Sequence, residues 1–264
     1  MRAARAFGGI VLIVCMALPF APLAIWSFAR GWRYPDLAPE RWSLDAWTYA
    51  LSDLSGVLEG LALSAVVAAG ATFASLAIGV PAGRALALRR FRGRALVTLL
   101  ILAPAVAPLI AAVFGLHAIF IGLGLNNSVA GVALAHLIPT LPYVVFVSAG
   151  VFATFDADFE AQARSLGAPP LAVLRHVTLP AVFPGIMVGA LFAFLVSWSQ
   201  YLLTFVIGGG RVATLPLLLF NFASAGRNDI AGAIALIYAA PGALILLFVA
   251  RRLTGRGAAL AGRP

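Results

Sequence analysis

The 264-residue chain contains no lysine: its 18 basic residues are all arginine, a bias to which no functional reading attaches. It has a single cysteine, Cys15, three histidines and nine carboxylates. One cysteine excludes an internal disulfide and leaves the redox compartment unread. Charged residues make up 10% of the chain, against about 25% in an ordinary soluble domain, so there is too little charge to coat a water-soluble globule. Charge is missing altogether from Ala95 to Phe155 and from His176 to Gly210. No carboxylate pair stands within an apolar run, which disfavours a coupling site of the kind found in secondary transporters. A metalloprotease helix and a phosphate-cradling loop are also absent. Gly208-Gly209-Gly210 leads into Arg211 with no Lys-Ser/Thr behind it, and reads as a turn. His117 and His136 have no third ligand beside them, so they are expected to be hydrogen-bonded bundle histidines; neither catalytic nor metal-ligating residues are assigned.

What is present is apolar: hydrophobic residues make up 62% of the chain. Crossing about 30 Å of hydrocarbon takes roughly 20 apolar residues per helix. The runs Phe7–Phe28, Leu61–Ala82, Ala95–Phe120, Val129–Phe152, Ala181–Ile207 and Ile230–Ala250 meet that length. They predict an all-α fold, a polytopic membrane bundle of six transmembrane helices. Pro104 and Pro108 should kink the third span, and Pro139 and Pro142 the fourth. Val212–Gly226 is apolar but short and carries Pro216, so it is expected to be a re-entrant or surface helix. Pro19 and Pro22 spoil a signal-peptide cleavage site, and the first run is expected to be retained. Gly31–Gly60 is too short for a core of its own, so residues 1–264 are read as a single membrane domain.

Arginine placement predicts orientation. With six spans, Arg2, Arg5, Arg84, Arg89, Arg90, Arg92, Arg94, Arg164, Arg175, Arg251, Arg252, Arg256 and Arg263 fall on one side. Only Arg30, Arg33, Arg41, Arg211 and Arg227 fall on the other. The positive-inside rule puts both termini and the 153–180 loop in the cytoplasm. A net charge of +9 would suit nucleic acid, but on a chain this apolar it sets orientation and meets anionic membrane lipid. No nucleic-acid partner is expected.

The polar island Glu160–Pro180 interrupts the two uncharged stretches. Asp156 or Asp158 can cap a helix through Glu160 to Leu166, and Gly167 can take the left-handed conformation that ends it. Pro169 and Pro170 suit the first turn of a second short helix, Leu171–Val177. The result is a helix-Gly-helix elbow whose first arm carries the small residues Ala161 and Ala163, open to the close approach of another surface. In the fifth span, Ser197, Gln200 and Thr204 are spaced by three and four residues with Tyr201 beside them. This stripe reads either as lining of a translocation route or as interhelical hydrogen bonding. Gly185 and Gly189 form a small-xxx-small pair that marks close helix packing.

The block Ala163-Arg164-Ser165-Leu166-Gly167-Ala168, with Leu179-Pro180 twelve and thirteen residues after Gly167, resembles the Glu-Ala-Ala loop of the inner-membrane permeases of binding-protein-dependent ATP-binding-cassette importers. Asn126-Asn127 and Thr214-Leu215-Pro216 extend the resemblance through the spans. The motif's Glu stands six residues before the Gly, where this chain has Ala161; Glu160 sits one residue early and, at about 100° per residue, turns another way. The resemblance implies a type I importer permease of a bacterial inner membrane, closest in look to the smaller permease of polyamine systems. It implies that Glu160, Ala161, Ala163, Arg164, Gly167, Ala168, Leu179 and Pro180 form the loop that couples to the ATPase. The implied partners are a dimer of ATPase subunits, a second permease (another chain or a second copy) and an extracytoplasmic substrate-binding protein. No cofactor is expected on this chain, because ATP and Mg would bind the partner. The competing class is a secondary transporter or channel acting without ATP.

Overall fold

The structure, a computed structural model, describes residues 11, 14, 15, 17–32, 36 and 38–261, the side chains of 109 and 246–261 excepted. Arg2, Arg5, Arg33, Arg263 and the start of the first predicted span lie outside the described residues. Residues divide into two compact units, Met1–Ser64 with Ala213–Ala243 and Ala65–Val212 with Leu244–Pro264.

In the first unit, α1 (Phe20–Phe28) leads into a two-residue strand, β1 (Ala29–Arg30), paired antiparallel with β2 (Arg41–Trp42). This clip is the one departure from an all-helical chain among the described residues. The short helix α2 (Asp45–Ala50) and a 3₁₀ turn then open α3 (Val57–Leu88). Two further helices belong here, α11 (Leu215–Ser224) whole and α12 (Asn228–Ala261) by its first residues. Ala46, Ala50, Val57, Leu215, Ile230, Ala233 and Ile234 make the core. Gly60 lets α3 approach α11, since a Cβ there would stand 2.7 Å from Leu218 Cδ1 and 3.1 Å from the Ala213 carbonyl. Ser64 Oγ accepts the Leu215 N–H at 2.8 Å, satisfying an amide that the first turn of α11 leaves free. At ten residues α11 is too short to cross a membrane, as its length and Pro216 predict.

In the second unit the helices are α4 (Arg94–Val106), α5 (Leu109–Gly122), α6 (Val129–Ala153), α7 (Asp158–Ser165), α8 (Pro170–Val173), α9 (Leu179–Trp198) and α10 (Leu202–Gly208). A π-turn, Leu174–Thr178, joins α8 to α9 without a break. The central helix is α6, with Val132, Ala135, His136, Thr140, Val144, Val145 and Phe152 buried. Its N-cap Ser128 accepts the Gly131 N–H at 3.0 Å. The α3 backbone comes against it at Gly79 and Gly83: a Cβ on Gly83 would meet Ser148 Cβ and the Val145 carbonyl at 2.6 Å. Gly185 of α9 lies against Val151 and Gly189 against Val147, so the small-xxx-small pair does mark helix packing.

Two predicted spans are broken. The third is bent by 104° between α4 and α5. Ala107 is extended (ψ 145°), as the residue before Pro108 is pushed to be, and the helix cannot continue through it. The fifth ends at Trp198 and resumes as α10, with Ser199, Gln200 and Tyr201 at the break. Among the described residues, α3, α6, Pro170–Trp198 and Asn228–Ile245 are long and apolar enough to cross a membrane, five spans if the bent pair counts as one.

Candidate functional site

The polar island folds as an elbow on the end of α6. Asp156 Oδ1 accepts the Asp158 N–H at 2.9 Å, and Asp158 and Glu160 occupy the first turn of α7, where carboxylates suit the helix dipole. At the other end, Ala168 N–H reaches the Ala163 carbonyl at 3.1 Å and Gly167 N–H reaches that of Arg164 at 2.9 Å. With Gly167 at φ +85°, this is a Schellman termination, and it needs a residue without a Cβ penalty at that position. Pro170 opens α8 as expected, but the second arm is no separate helix, because the chain stays helical from Pro170 to Trp198. The π-turn explains how. Pro180 has no N–H for the carbonyl four residues back and its ring crowds that turn, so the turn before it widens.

Glu160 is the unexpected residue. It is 5% exposed, and its carboxylate is filled by partners from three elements. Arg84 Nη2 of α3 donates to both oxygens, at 2.8 and 2.7 Å. Thr178 Oγ1 of the π-turn donates to Oε1 at 2.6 Å, and Arg164 Nη2 donates to Oε2 at 3.0 Å. The Arg84 guanidinium also sits 5.6 Å from the centre of the Phe152 ring at the end of α6. Glu160 therefore points into the bundle. The opposite face of α7, formed by Asp158, Ala161, Gln162, Ser165 and Leu166, lines an open groove, and Leu166 is 89% exposed. Of the remaining loop residues, Arg164, Leu179 and Pro180 are exposed, while Ala163 and Ala168 are half-buried.

The fifth-span stripe divides in two. His136 Nδ1 lies 2.8 Å from Ser197 Oγ and Nε2 lies 3.1 Å from Thr204 Oγ1. Thr204 spends its own proton on the Gln200 carbonyl at 3.2 Å, so it accepts from Nε2–H, and Ser197 donates to Nδ1. This buried bridge spans the break between α9 and α10 and gives both ring nitrogens of His136 a hydroxyl partner. Thr140, one turn on, bonds the His136 carbonyl at 2.8 Å and the Ser75 hydroxyl at 2.7 Å. Gln200 and Tyr201 are half-buried, Tyr201 stacking on Phe205 at 5.7 Å. Asn127 (φ +58°) donates its N–H to the Ile207 carbonyl at 2.8 Å, docking the α5–α6 turn on the end of α10.

In the first unit a cavity of about 530 Å³ is lined by Trp26, Trp32, Tyr49, Arg30, Asp45 and Arg227 among others. Four of its charged residues form pairs: Arg30 with Asp45, and Arg227 with Asp229 at 3.0 Å. The Arg30 hydrogen bond, with that of Ser43, holds the Asp45 carboxyl below its ordinary range.

His136 is the hydrogen-bonded bundle histidine that the sequence leads one to expect, though its link to the stripe was not foreseen; Arg84 was missed as a partner of the elbow. Arg84 carries a signal in hindsight: it stands apart from Arg89–Arg94, inside the helix and just after the close-packing Gly83.

The described residues thus make a bundle of helices apolar enough to cross a membrane, with a capped elbow between two of them. Residues 75–256 match the family of binding-protein-dependent transport system inner membrane components. The chain is 35% identical over 209 residues to the molybdenum transport system permease protein ModB of Mycobacterium tuberculosis, covering 73% of this chain and 78% of the relative. It is 30% identical over 258 residues to the putrescine transport system permease protein PotI of Escherichia coli K12, covering 94% and 90%. Its fold matches that in the crystal structure of a bacterial ABC transporter involved in the import of the acidic polysaccharide alginate, with a TM-score of 0.71 at 20% identity over 95% of this chain and 98% of that one. The chain belongs to this family and is an inner-membrane permease subunit of an ATP-binding-cassette importer.

Proposed function

We propose that the chain forms half of a solute pathway, completed by a second permease, and that residues 153–180 dock on a separate ATPase that binds ATP and Mg. The observation that carries this reading is the elbow. A short helix closed by Gly167 presents an outer face of Asp158, Ala161, Gln162, Ser165 and Leu166, and its second arm runs on unbroken into α9. Movement imposed on the outer face has a stiff route into the membrane. An extracytoplasmic binding protein would deliver the solute from the other side of the membrane. The exposed Arg89, Arg90, Arg92 and Arg94 suit the phosphates of anionic lipid. Ser197, Gln200, Tyr201 and Thr204 are the proposed route-lining group, with Gln200 and Tyr201 the members outside the His136 bridge.

For the solute, the near end-to-end likeness to a putrescine permease favours a polyamine or related small cation. The higher identity to a molybdenum permease over a shorter stretch favours an oxyanion as the second reading. The deciding experiment reconstitutes the permease with its co-purifying ATPase and binding protein in proteoliposomes, then follows ATP-dependent uptake of labelled putrescine and of molybdate. Uptake of molybdate alone would replace the polyamine reading. Uptake without ATP would remove the ATPase from the account.

A further inference from the structure

We propose that Glu160 is the internal fastening of the elbow: it locks α7 to the cytoplasmic end of α3 through Arg84, so that elbow and α3 move as one body when the ATPase moves. This rests on the coupling reading above and goes beyond it, because that reading leaves open which helices feel the elbow first.

The geometry carries the inference. A carboxylate meant for a partner protein would stand on the outer face of α7, but Glu160 is buried on the inner face with four hydrogen bonds to its two oxygens. Its partners come from three directions: α3, the following turn of α7, and the π-turn that opens the α9 span. Arg84 is itself seated against the Phe152 ring, so the guanidinium is held from two sides. Arg164 is the weakest member, since most of its side chain lies in solvent. The outer face has Ala161 where a motif carboxylate would stand, and the carboxylate one residue before it, Glu160, is turned inward. One step of register, about 100° of helix, is the difference between reaching out and reaching in. Glu160 is thus a positioning residue, acting on the span through Arg84.

The test uses the full chain in complex with its ATPase, with Cys15→Ser and spin labels on cysteines at Leu88 of α3 and Phe159 of α7, both exposed. The expected result is one narrow distance distribution that does not change on adding ATP. Glu160→Gln, which keeps the size and removes the charge, should broaden it or make it shift with ATP. Arg84→Lys, which keeps the charge, should fall between the two. A shift with ATP in the chain carrying Glu160 overturns the proposal, as does a Glu160→Gln distribution that stays narrow in both states. If Glu160→Gln does not assemble, the Glu160 and Arg84→Lys measurements still decide. The failures are distinguishable: an ATPase that never binds sinks the coupling reading and this one with it, whereas an ATPase that binds while α7 slides on α3 sinks this one alone.

Discussion

Replacing Gly167 separates backbone strain from packing more cleanly than any other change in the elbow. Its φ is +85°, and a Cβ built on it would meet nothing within 4 Å. A side chain there costs only the left-handed conformation, about 1–2 kcal/mol for an ordinary L-residue. That lowers the ratio of closed to open elbow by a factor of roughly 5–30. Asn, which tolerates this region, should cost less than Ala, and the β-branched Val should cost most. The assay is hydrogen exchange at the Gly167 and Ala168 amides, whose bonds to the Arg164 and Ala163 carbonyls are the Schellman pair. In Gly167→Ala their protection should drop by about that factor. In Gly167→Val it should nearly vanish, and ATP-dependent transport should be abolished although the protein still inserts. Equal protection in the Asn and Val variants would refute the reasoning, because the order Asn, Ala, Val comes from φ alone.

Three further outcomes are expected. In a Cys15→Ser background, Ala168→Cys and Arg92→Cys should resist an impermeant thiol reagent on intact cells while Ala38→Cys reacts; labelling at Ala168 would overturn the orientation. Gln200→Leu should lower uptake with normal complex yield and ATPase binding, and dissociation of the complex would instead assign Gln200 to structure. His136→Leu removes two buried hydrogen bonds across the α9–α10 break, which in a membrane bundle amounts to roughly 1–3 kcal/mol. It should lower the thermal stability of the detergent-solubilised protein, whereas His117→Leu should not lower it, since His117 Nδ1 has no hydrogen-bond partner; equal losses would contradict the bridge.

The elements legible in the sequence were those fixed by local chemistry. The length of an apolar run set α3 and α6, and Gly167 with Pro170 set the elbow. The misjudged elements were those decided by residues far apart in the chain. Ala181–Ile207 reads as one apolar helix, yet it breaks at Ser199–Tyr201, where His136, some sixty residues earlier, supplies hydrogen bonds to both sides. The spacing rule that aligned Ser197, Gln200 and Thr204 assumes an unbroken helix and loses its force there. Glu160 was singled out for its place in the loop, but its inward aim depends on Arg84, and no local pattern links the two. The β1–β2 clip is too short to leave a period in the sequence at all.

The Arg84–Glu160 pair joins residues 76 positions apart. At about 5–20 residues per second of synthesis, Arg84 leaves the ribosome roughly 4–15 s before its carboxylate exists. For that interval its guanidinium must be held by water or by lipid phosphates at the membrane surface, which keeps the end of α3 from sinking into hydrocarbon. On this account the arginine first anchors a newborn helix at the membrane surface, and only later becomes a mechanical tie. An early carboxylate placed beside it in the α3–α4 loop, at Arg89 or Arg90, would compete for it before Glu160 arrived, so a defect from such a change would arise during membrane insertion and not in the finished transporter.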